Sequence, residues 1–356
     1  MPRTLLIMAG GTGGHVFPGL AVADLLKTRG WNVVWMGNPD GIEAKLVPAH
    51  GYEMSCVRFG ALRGKGLLRK LMLPINLISA VWQAWRELRR IKPDVVLGMG
   101  GYICFPGGIA AALSGYPLII HEQNSVAGLS NRVLARFATR VVCGFPNALP
   151  DSRWVGNPVR PEISCLPEPA ERFAERATES SDPLHLLVLG GSLGALAINE
   201  AVPIGISLIE HNKRPKIVHQ AGEKHLARLE ENYAKAGIQA NCVAFIEDMA
   251  GAYEWADLVL CRAGALTVAE LAACGVASIL VPFPHAVDDH QTFNAKFLAS
   301  AGGAIILPQN EMTPESISLI RNYTRGQLLQ MAERARALAK PEAVAEFALA
   351  CEELVK

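Results

Sequence analysis

The chain contains two copies of one strand-and-loop pattern, one in each half. The apolar run TLLIMA leads into Gly10–Gly11–Thr12–Gly13–Gly14–His15, and LHLLVL leads into Gly190–Gly191–Ser192–Leu193–Gly194. Glycine lets the backbone turn sharply and approach a ligand, and the helix that follows presents unpaired N–H groups and the positive end of its dipole. Each half therefore predicts a strand, a glycine loop and a helix that can bind an anion.

Apolar runs alternate with amphipathic stretches along the rest of the 356-residue chain. This alternation is typical of parallel sheets covered by helices, and the length exceeds what one hydrophobic core usually serves. We therefore predict an α/β fold with two doubly wound domains, whose ligand crevices lie at the carboxyl ends of the strands. A proline-rich stretch after Gly156–Asn157–Pro158 marks the boundary, so the domains are predicted at 1–160 and 161–340. The strands are predicted at 4–9, 32–37, 95–100, 117–122 and 140–145, and at 184–190, 216–221, 240–246, 258–262, 277–282 and 304–308.

Basic and acidic residues are unevenly divided between the two halves. Residues 1–160 contain 18 Lys and Arg against 8 Asp and Glu, a balance of +10, whereas residues 161–356 have a balance of −9. A basic N-terminal half indicates an anionic partner such as nucleic acid, a phospholipid surface or a polyphosphate ligand, with charge complementarity between domains as the alternative. Because groove-reading and stacking motifs are missing from the basic stretch, nucleic acid is not expected as a partner.

Cysteine spacing and hydropathy indicate in which cellular compartment the protein is located. The eight cysteines are scattered without C-x-x-C spacing, which supports neither a disulfide framework nor a structural zinc site. The apolar stretch 71–82 is interrupted by polar residues and is too short to span a bilayer, and the N-terminus has no cleavage site of a secretory signal. We therefore expect a cytosolic location.

The first glycine loop does not match the common nucleotide-binding fingerprints. From Gly11 the third glycine position of G-x-G-x-x-G is Val16, and the second predicted strand ends without the acidic residue that binds a ribose. No G-K-[ST] occurs, and the segment HEQNS does not complete H-E-x-x-H. A nicotinamide enzyme, a P-loop enzyme and a zinc protease are therefore not expected.

The second glycine loop leaves a serine hydrolase open. Gly190–Gly191–Ser192–Leu193–Gly194 matches G-x-S-x-G, and Asp257 and His285 or His290 follow in the order of a catalytic triad. Against this possibility, the nucleophile would lie near the start of the second domain, and the first glycine loop would have no role in the reaction.

Residues 260–270, LCRAGALTVAE, resemble the nucleotide-sugar signature of GT-B glycosyltransferases, which have two facing Rossmann-like domains with a cleft between them. The segments GGTGGHVFPGLAVA, PDVVLGMGGY, HEQNSVAGLSNR, VGNPVR and GGSLGA, and the region 291–294, extend the match over almost the whole chain. Together they resemble the peptidoglycan glycosyltransferases of family 28. The resemblance implies inverting, β-1,4-forming transfer of N-acetylglucosamine from UDP-N-acetylglucosamine to the 4-hydroxyl of an undecaprenyl-diphosphate-linked N-acetylmuramyl-pentapeptide. It also implies that a helix within 341–356 crosses back to the N-terminal domain.

The resemblance further implies that the donor binds mainly to the C-terminal half. Glu270 would bind the ribose, the backbone at Ile246 would read the uracil edge, and Gln291 with Asn124 would bind the sugar. The role of His290, which stands in place of a glutamine found in relatives, stays open. Thr12, Gly13 and Gly14 would complete this site across the cleft.

The donor diphosphate would be held without a metal. By resemblance, it would be held by Arg160, Ser192 and the turn over Ala265, Leu266 and Thr267, because a guanidinium and helix amides both suit phosphate oxygens. Val268 and Ala269 would also belong to the donor site. No D-x-D sequence occurs in the chain. No cofactor is therefore expected.

Two residues are candidates for the base that deprotonates the acceptor hydroxyl. His15 ends the first glycine loop, and Glu122 ends a predicted strand, where catalytic groups of α/β sheets gather. The residues alone do not decide between them. His15 could instead stabilise its loop, and Glu122 could instead cap a neighbouring helix. By resemblance, the acceptor site comprises Gly11, His15, Gly100, Gly101 and Tyr102.

A basic and apolar segment covers residues 58–92. Ile75, Trp82 and Trp85 share one helical face with Ile78, and Arg86 and Arg89 lie near its end. A basic amphipathic helix with tryptophan can lie in the headgroup layer of an anionic phospholipid membrane, whereas the alternative is an ordinary packed helix with a solvated rim. Together with the resemblance, this segment leads us to expect a peripheral enzyme on the cytoplasmic face of a bacterial inner membrane, which can also contact other cell-wall synthesis proteins. Two further functions stay open beside the transferase and the hydrolase: a UDP-N-acetylglucosamine 2-epimerase and a sugar-nucleotide-binding regulator.

Overall fold

The computed structural model describes residues 2–59, 72–176, 182–191 and 194–355. Within these ranges the chain divides into two compact units. Unit 1 comprises Met1–Arg160 and Pro341–Lys356, and unit 2 comprises Pro161–Lys340. Part of the predicted basic segment, at 60–71, lies outside the described residues.

Unit 1 contains a parallel sheet whose described strands follow the order β3-β2-β1-β4-β5-β6-β7. The order reverses direction at β1, which lies between β2 and β4, so a topological switch point lies between β1 and β4. The strands are β1 (Thr4–Ala9), β2 (Asn32–Gly37), β3 (Glu53–Cys56), β4 (Val95–Gly100), β5 (Leu118–Glu122), β6 (Arg140–Cys143) and β7 (Arg153–Trp154).

Helices cover both faces of this sheet. They are α1 (Gly13–Thr28), α2 (Glu43–Ala49), α3 (Leu73–Ile91), α4 (Cys104–Leu113), α5 (Leu129–Leu134) and, from the end of the chain, α15 (Ala343–Glu352). One core joins α1 and α15 to the β1 side chains Leu5 and Ile7. The other core joins α3, α4 and α5 to Leu6 and Met8 of the same strand. Successive side chains of a strand point to opposite faces, so β1 supplies both cores.

The C-terminal helix α15 packs on unit 1. Phe347 is fully buried among the side chains of the α1 core, and its ring meets that of His121 edge-on at 4.8 Å between centroids. Ion pairs at the helix surface join Glu352 to Arg29 and Glu353 to Arg140.

Unit 2 repeats the plan with six described strands in the order β10-β9-β8-β11-β12-β13, all parallel. Its switch point lies between β8 and β11. The strands are β8 (His185–Leu189), β9 (Lys216–Gln220), β10 (Asn241–Val243), β11 (Leu258–Cys261), β12 (Ala277–Leu280) and β13 (Ala304–Ile306). Its helices are α6 (Pro161–Ser164), α7 (Pro169–Arg176), α8 (Leu196–Ser207), α9 (Leu226–Ala236), α10 (Met249–Trp255), α11 (Ala265–Cys274), α12 (His290–Ala299), α13 (Pro314–Ser318) and α14 (Arg325–Arg336).

The predicted α/β fold with a helix-covered parallel sheet in each half is confirmed. The first three predicted strands match β1, β2 and β4 residue for residue, whereas the strand predicted at 240–246 is shorter, at Asn241–Val243. That strand lies at the edge of its sheet, and Phe245 beyond it is exposed. The sequence prediction missed the edge strands β3 and β7, whose residues alternate between apolar and polar.

Helix α3 has one packed face and one exposed apolar face. Ala80, Ala84 and Leu88, at intervals of four residues, are fully buried against the sheet. The opposite face exposes four large side chains, which we call the apolar face of α3: Ile75, Ile78, Trp82 and Trp85. An apolar cavity of about 470 Å³ adjoins it between α3 and α4. Among the described residues no helix is both long and apolar enough to cross a bilayer.

Candidate active site

The glycine loops of unit 1 meet at its switch point. The loop after β1 and the loop after β4 touch through their backbones, because the Gly10 amide donates to the Gly100 carbonyl at 3.3 Å. Gly101 has φ +89°, and a Cβ there would come within 2.2 Å of the Gly10 carbonyl oxygen. The ring of Tyr102 faces Gly11, 3.8 Å from the position a Cβ would occupy. The structure therefore brings together all the residues predicted for the acceptor site.

His15 lies in the first turn of α1, with one ring nitrogen fixed by the loop. Its Nδ1 lies 3.0 Å from the Gly10 carbonyl and 3.2 Å from the Thr12 hydroxyl. A carbonyl oxygen only accepts, so this contact assigns the proton to Nδ1 and leaves the Nε2 lone pair available in the neutral ring. Burial lowers the pKa of His15, and the Gly10 hydrogen bond and the Glu43 charge oppose that shift. The ring edge with Nε2 borders Gly100, where a Cβ would come within 2.9 Å of Nε2.

Glu43 is a residue of this site that the sequence analysis missed. It is 1% exposed, and its carboxylate accepts the Gly11 amide at 3.1 Å and the Asn38 amide at 3.0 Å. The first glycine loop therefore rests on a buried carboxylate from α2. A glutamate in a helical stretch carries no local signal for such a role.

Glu122 lies at the end of β5 with both of its oxygens engaged. Oε1 accepts the backbone and side-chain amides of Asn124, and Oε2 accepts the Gly128 amide and the Asn131 side chain. Gly128 is the N-cap residue of α5, so this carboxylate organises the loop from 124 to 131 and the start of that helix. Burial raises the pKa of Glu122, and the four N–H donors oppose the shift.

Two more side chains, those of Gln123 and Cys104, form hydrogen bonds that hold the loop after β4 in place. Gln123 donates to the Met99 carbonyl from its buried carboxamide. The Cys104 thiol lies 3.0 Å from the Met8 carbonyl and accepts the Gly100 amide at 3.1 Å, so it joins the ends of β1 and β4. The sequence prediction named neither as a site residue.

Unit 2 also has a glycine loop after its first strand, β8, and this loop contacts the end of β9. Gly190 follows β8 and donates to the Gln220 carbonyl at 3.1 Å. Gly194 has φ +76°, and a Cβ there would come within 2.3 Å of the Ala221 carbonyl oxygen. Ser192, predicted to bind the donor diphosphate, lies outside the described residues.

Helix α11 begins beside this glycine loop, because β8 and β11 are adjacent. Gly264 is its N-cap residue, and glycine has no side chain to cap the amides of Ala265, Leu266 and Thr267. Val268 differs from these predicted donor residues: its side chain is fully buried and its amide donates to Gly264. Ala269, on the next position of the helix, is partly exposed.

Glu270 is 7% exposed on α11 and accepts a hydrogen bond from the Tyr253 hydroxyl at 3.0 Å. Tyr253, from α10, is fully buried, so it fixes one oxygen of the carboxylate. This support from Tyr253 was not predicted from the sequence.

The loop after β12 borders the same edge of the unit 2 sheet. Gln291, near the start of α12, accepts the Phe283 amide at 2.9 Å, and the buried Asn294 donates to the Ala263 carbonyl at 3.2 Å. His290 forms a local contact with the Val287 carbonyl at 2.8 Å. Ile246 lies, partly exposed, in the loop between β10 and α10.

Besides Asn124, four predicted donor residues belong to unit 1. Thr12 is the N-cap residue of α1, and Gly13 and Gly14 are its first two residues. Arg160, at the end of this unit's first segment, holds its guanidinium 6.0 Å from the centre of the Phe17 ring.

Comparison with known proteins decides the family. Residues 5–143 match the glycosyltransferase family 28 N-terminal domain, and residues 185–349 match the family 28 C-terminal domain. A relative from Dechloromonas aromatica is 65% identical over the full length of both chains. The chain belongs to glycosyltransferase family 28. The relative is named UDP-N-acetylglucosamine--N-acetylmuramyl-(pentapeptide) pyrophosphoryl-undecaprenol N-acetylglucosamine transferase, as is one from Azoarcus, which is 62% identical over 99% of each chain.

Solved structures agree with this assignment. MurG of Acinetobacter baumannii superposes with a TM-score of 0.86 at 41% identity, covering 99% of this chain and 100% of that one. The predicted GT-B fold and the predicted glycosyltransferase class are therefore confirmed. Membership of a transferase family supports the transferase prediction over the epimerase and the serine hydrolase. Within the described ranges, no group of three or more His, Cys, Asp or Glu side chains is arranged to hold a metal ion.

Proposed function

We propose that this family 28 enzyme transfers N-acetylglucosamine from UDP-N-acetylglucosamine to the 4-hydroxyl of undecaprenyl-diphosphate-linked N-acetylmuramyl-pentapeptide, in the synthesis of peptidoglycan. The observation that carries the proposal is the 65% identity to a transferase of that name along the entire length of both chains. The geometry supports it, because each unit has a glycine loop and a helix start at the switch point of a parallel sheet.

Unit 1 is proposed to bind the acceptor, with His15 as the base. Inverting transfer requires removal of the acceptor hydroxyl proton as the hydroxyl oxygen attacks the anomeric carbon from the face opposite UDP. The lowered pKa of His15 keeps the ring neutral at pH 7, and its Nε2 lone pair is available for that proton. The loops at Gly11 and Gly101, with Tyr102, would enclose the acceptor diphosphate, and the Gly11 amide itself would stay bound to Glu43.

Glu122 is proposed to position its loop rather than to take the proton. Each of its oxygens already accepts two N–H groups, so the bound hydroxyl would have to compete with four donors. Asn124, which is held by this carboxylate, is proposed to contact the donor sugar.

Unit 2 is proposed to bind UDP-N-acetylglucosamine. The amides of Ala265, Leu266 and Thr267 at the start of α11 would stabilise the negative charge that develops on the leaving diphosphate. Arg160 and Ser192 would add donors to the same phosphates, and Glu270 would accept bonds from the ribose hydroxyls. The backbone at Ile246 would read the uracil edge, and Gln291 would bind the sugar. With these donors in place of a metal, the reaction is proposed to need no cofactor.

The apolar face of α3 is proposed to dock on the cytoplasmic face of the bacterial inner membrane, where the lipid acceptor resides. Arg86 and Arg89 support this placement, because their guanidinium groups lie 5.3 Å and 4.9 Å from the ring centres of Trp82 and Trp85. Apolar burial and attraction to anionic phospholipid would then act on the same helix.

The experiment that tests the function measures UDP release and disaccharide formation from UDP-N-acetylglucosamine and a lipid-linked muramyl-pentapeptide analogue. We expect acceptor-dependent release of UDP and a β-1,4-linked disaccharide, both unaffected by EDTA. Release of UDP with a changed sugar in the absence of acceptor would instead indicate an epimerase. Abolition of transfer by EDTA would contradict the metal-free site.

A further inference from the structure

We propose that the Glu43 carboxylate is a positioning group for transfer: it fixes the first glycine loop, and through it the ring of His15, in the geometry that proton transfer requires. The inference rests on the proposed function, because it assigns His15 the role of base.

The contacts of Glu43 join two loops that carry the site. Its Oε2 accepts the amide of Gly11, in the loop after β1, and its Oε1 accepts the amide of Asn38, in the loop after β2. Gly11 has φ +86°, a conformation that side-chain-bearing residues rarely adopt. A hydrogen bond from the Gly11 amide to a buried carboxylate therefore holds the loop at a residue with positive φ.

The neighbouring glycines make room for this carboxyl group. A Cβ at Gly10 or at Gly41 would come within 2.3 Å of a Glu43 oxygen, and one at Gly37 would come within 2.7 Å of its Cγ. Three segments of chain therefore lack side chains at the points where they approach one buried glutamate. At these positions glycine is required because any side chain would collide with the glutamate, and not only because the chain turns there.

No ion pair compensates the Glu43 charge among the described residues. A buried carboxylate is costly, and buried groups that perturb one another are often concentrated at functional sites. The Glu43 charge acts on the pKa of His15 on α1 and of Cys104 on α4, whereas His121 on β5 acts electrostatically with His15 and the Tyr102 ring lies beside Gly11.

The effect on His15 has a structural and an electrostatic part. The Gly10 carbonyl that accepts from His15 Nδ1 directly precedes the residue whose amide Glu43 holds, so movement of the loop would rotate the ring. The negative charge of Glu43 also opposes the lowering of the His15 pKa by burial. Removing that charge should lower the pKa further.

The test compares full-length wild-type enzyme with Glu43→Gln and Glu43→Asp in pH profiles of kcat and kcat/KM for the transfer reaction. We expect Glu43→Gln to lower kcat by about 100-fold, the typical cost of a small misplacement of reacting groups, with little change in the KM for the sugar nucleotide. The acidic limb of kcat/KM should move to lower pH, because a base with a lower pKa stays unprotonated in more acidic solution. Glu43→Asp, which keeps the charge, should restore the limb.

The control is Glu53→Gln, which removes an exposed carboxylate on unit 1 and should leave kcat and the limb unchanged. If Glu43→Gln does not fold, Gly41→Ala takes its place, since its Cβ crowds the carboxyl group but leaves the charge. That variant should lower kcat without moving the limb.

A Glu43→Gln enzyme with kcat within twofold of wild type and an unmoved limb would overturn the inference, as would a Gly41→Ala enzyme with unchanged kcat. His15→Gln separates this failure from failure of the proposed function. If the wild type transfers sugar and His15→Gln does not, the function stands whatever Glu43 does. If the wild type transfers none, the function itself is wrong.

Discussion

The contribution of the apolar face of α3 to membrane affinity can be worked out from the exposed fractions of its side chains. Ile75 is 59% exposed and Ile78 is 70% exposed, so both can enter a membrane without any change in the fold. Burying a whole isoleucine side chain is worth about 1.5–3 kcal/mol, and the exposed fractions reduce this to about 1–2 kcal/mol for each residue. The double variant Ile75→Ser/Ile78→Ser should therefore lose about 2–4 kcal/mol of membrane affinity, a factor of about 30 to 1,000 in the partition coefficient.

The assay is co-sedimentation of the enzyme with vesicles that contain anionic phospholipid, at several lipid concentrations. The matched control is Leu349→Ser, because Leu349 is a 42% exposed apolar residue of unit 1 on a different helix, α15. The control variant should partition like the wild type. Thermal unfolding of all three proteins should agree, since none of the replaced side chains belongs to a core.

Charge and apolar contact can be separated in the same assay. Replacing Arg86 and Arg89 by Gln should weaken binding at low salt and have less effect at high salt, because surface electrostatics are screened. A loss of less than threefold in the isoleucine double variant, or an equal loss in the Leu349 control, would refute the proposed membrane face.

Three further predictions concern the sites. Glu270→Ala should weaken UDP binding at least tenfold in calorimetry, whereas Tyr253→Phe, which removes one support of that carboxylate, should weaken it less; unchanged affinity in Glu270→Ala would contradict the donor assignment. Gly101→Ala should raise the KM for the lipid acceptor, because its Cβ would meet the Gly10 carbonyl at 2.2 Å and the backbone has φ +89°; an unaltered KM would show that the loop is not part of the acceptor site. Glu122→Gln should keep the acidic limb of the kcat/KM profile, and loss of the limb would make Glu122 the base.

The sequence predicted central strands better than edge strands for a physical reason. β1, β2 and β4 are covered on both faces, so they are continuous apolar runs whose ends are sharp. β3 and β7 lie at the edges of the unit 1 sheet, and β3 mixes exposed Glu53 with buried Ser55. No hydrophobic run marks such strands, and their pairing depends on neighbours distant in the chain.

The same distinction applies to the candidate site. The glycine loops were predictable because a strand, a turn and a helix start follow one another in the sequence. Glu43 and Asn131 were not, because their functions depend on contacts with Gly11, 32 residues away, and with Glu122, nine residues away. Side chains that support a site are recognised by the atoms they meet, and a single sequence does not contain those contacts.

The residue types alone do not decide whether His15 or Glu122 is the base, because the answer depends on which lone pairs are occupied in the fold. His15 lies in the helix after β1 and Glu122 is the last residue of β5; both strands end at the same edge of one sheet, and either side chain can accept a proton. In the folded enzyme they differ in which lone pairs are occupied. The Gly10 carbonyl binds the protonated Nδ1 of His15 and leaves Nε2 available, whereas four N–H groups occupy the Glu122 oxygens. A hydroxyl that approaches this edge therefore meets an available acceptor on His15 but must displace existing hydrogen bonds on Glu122, which supports His15 as the base.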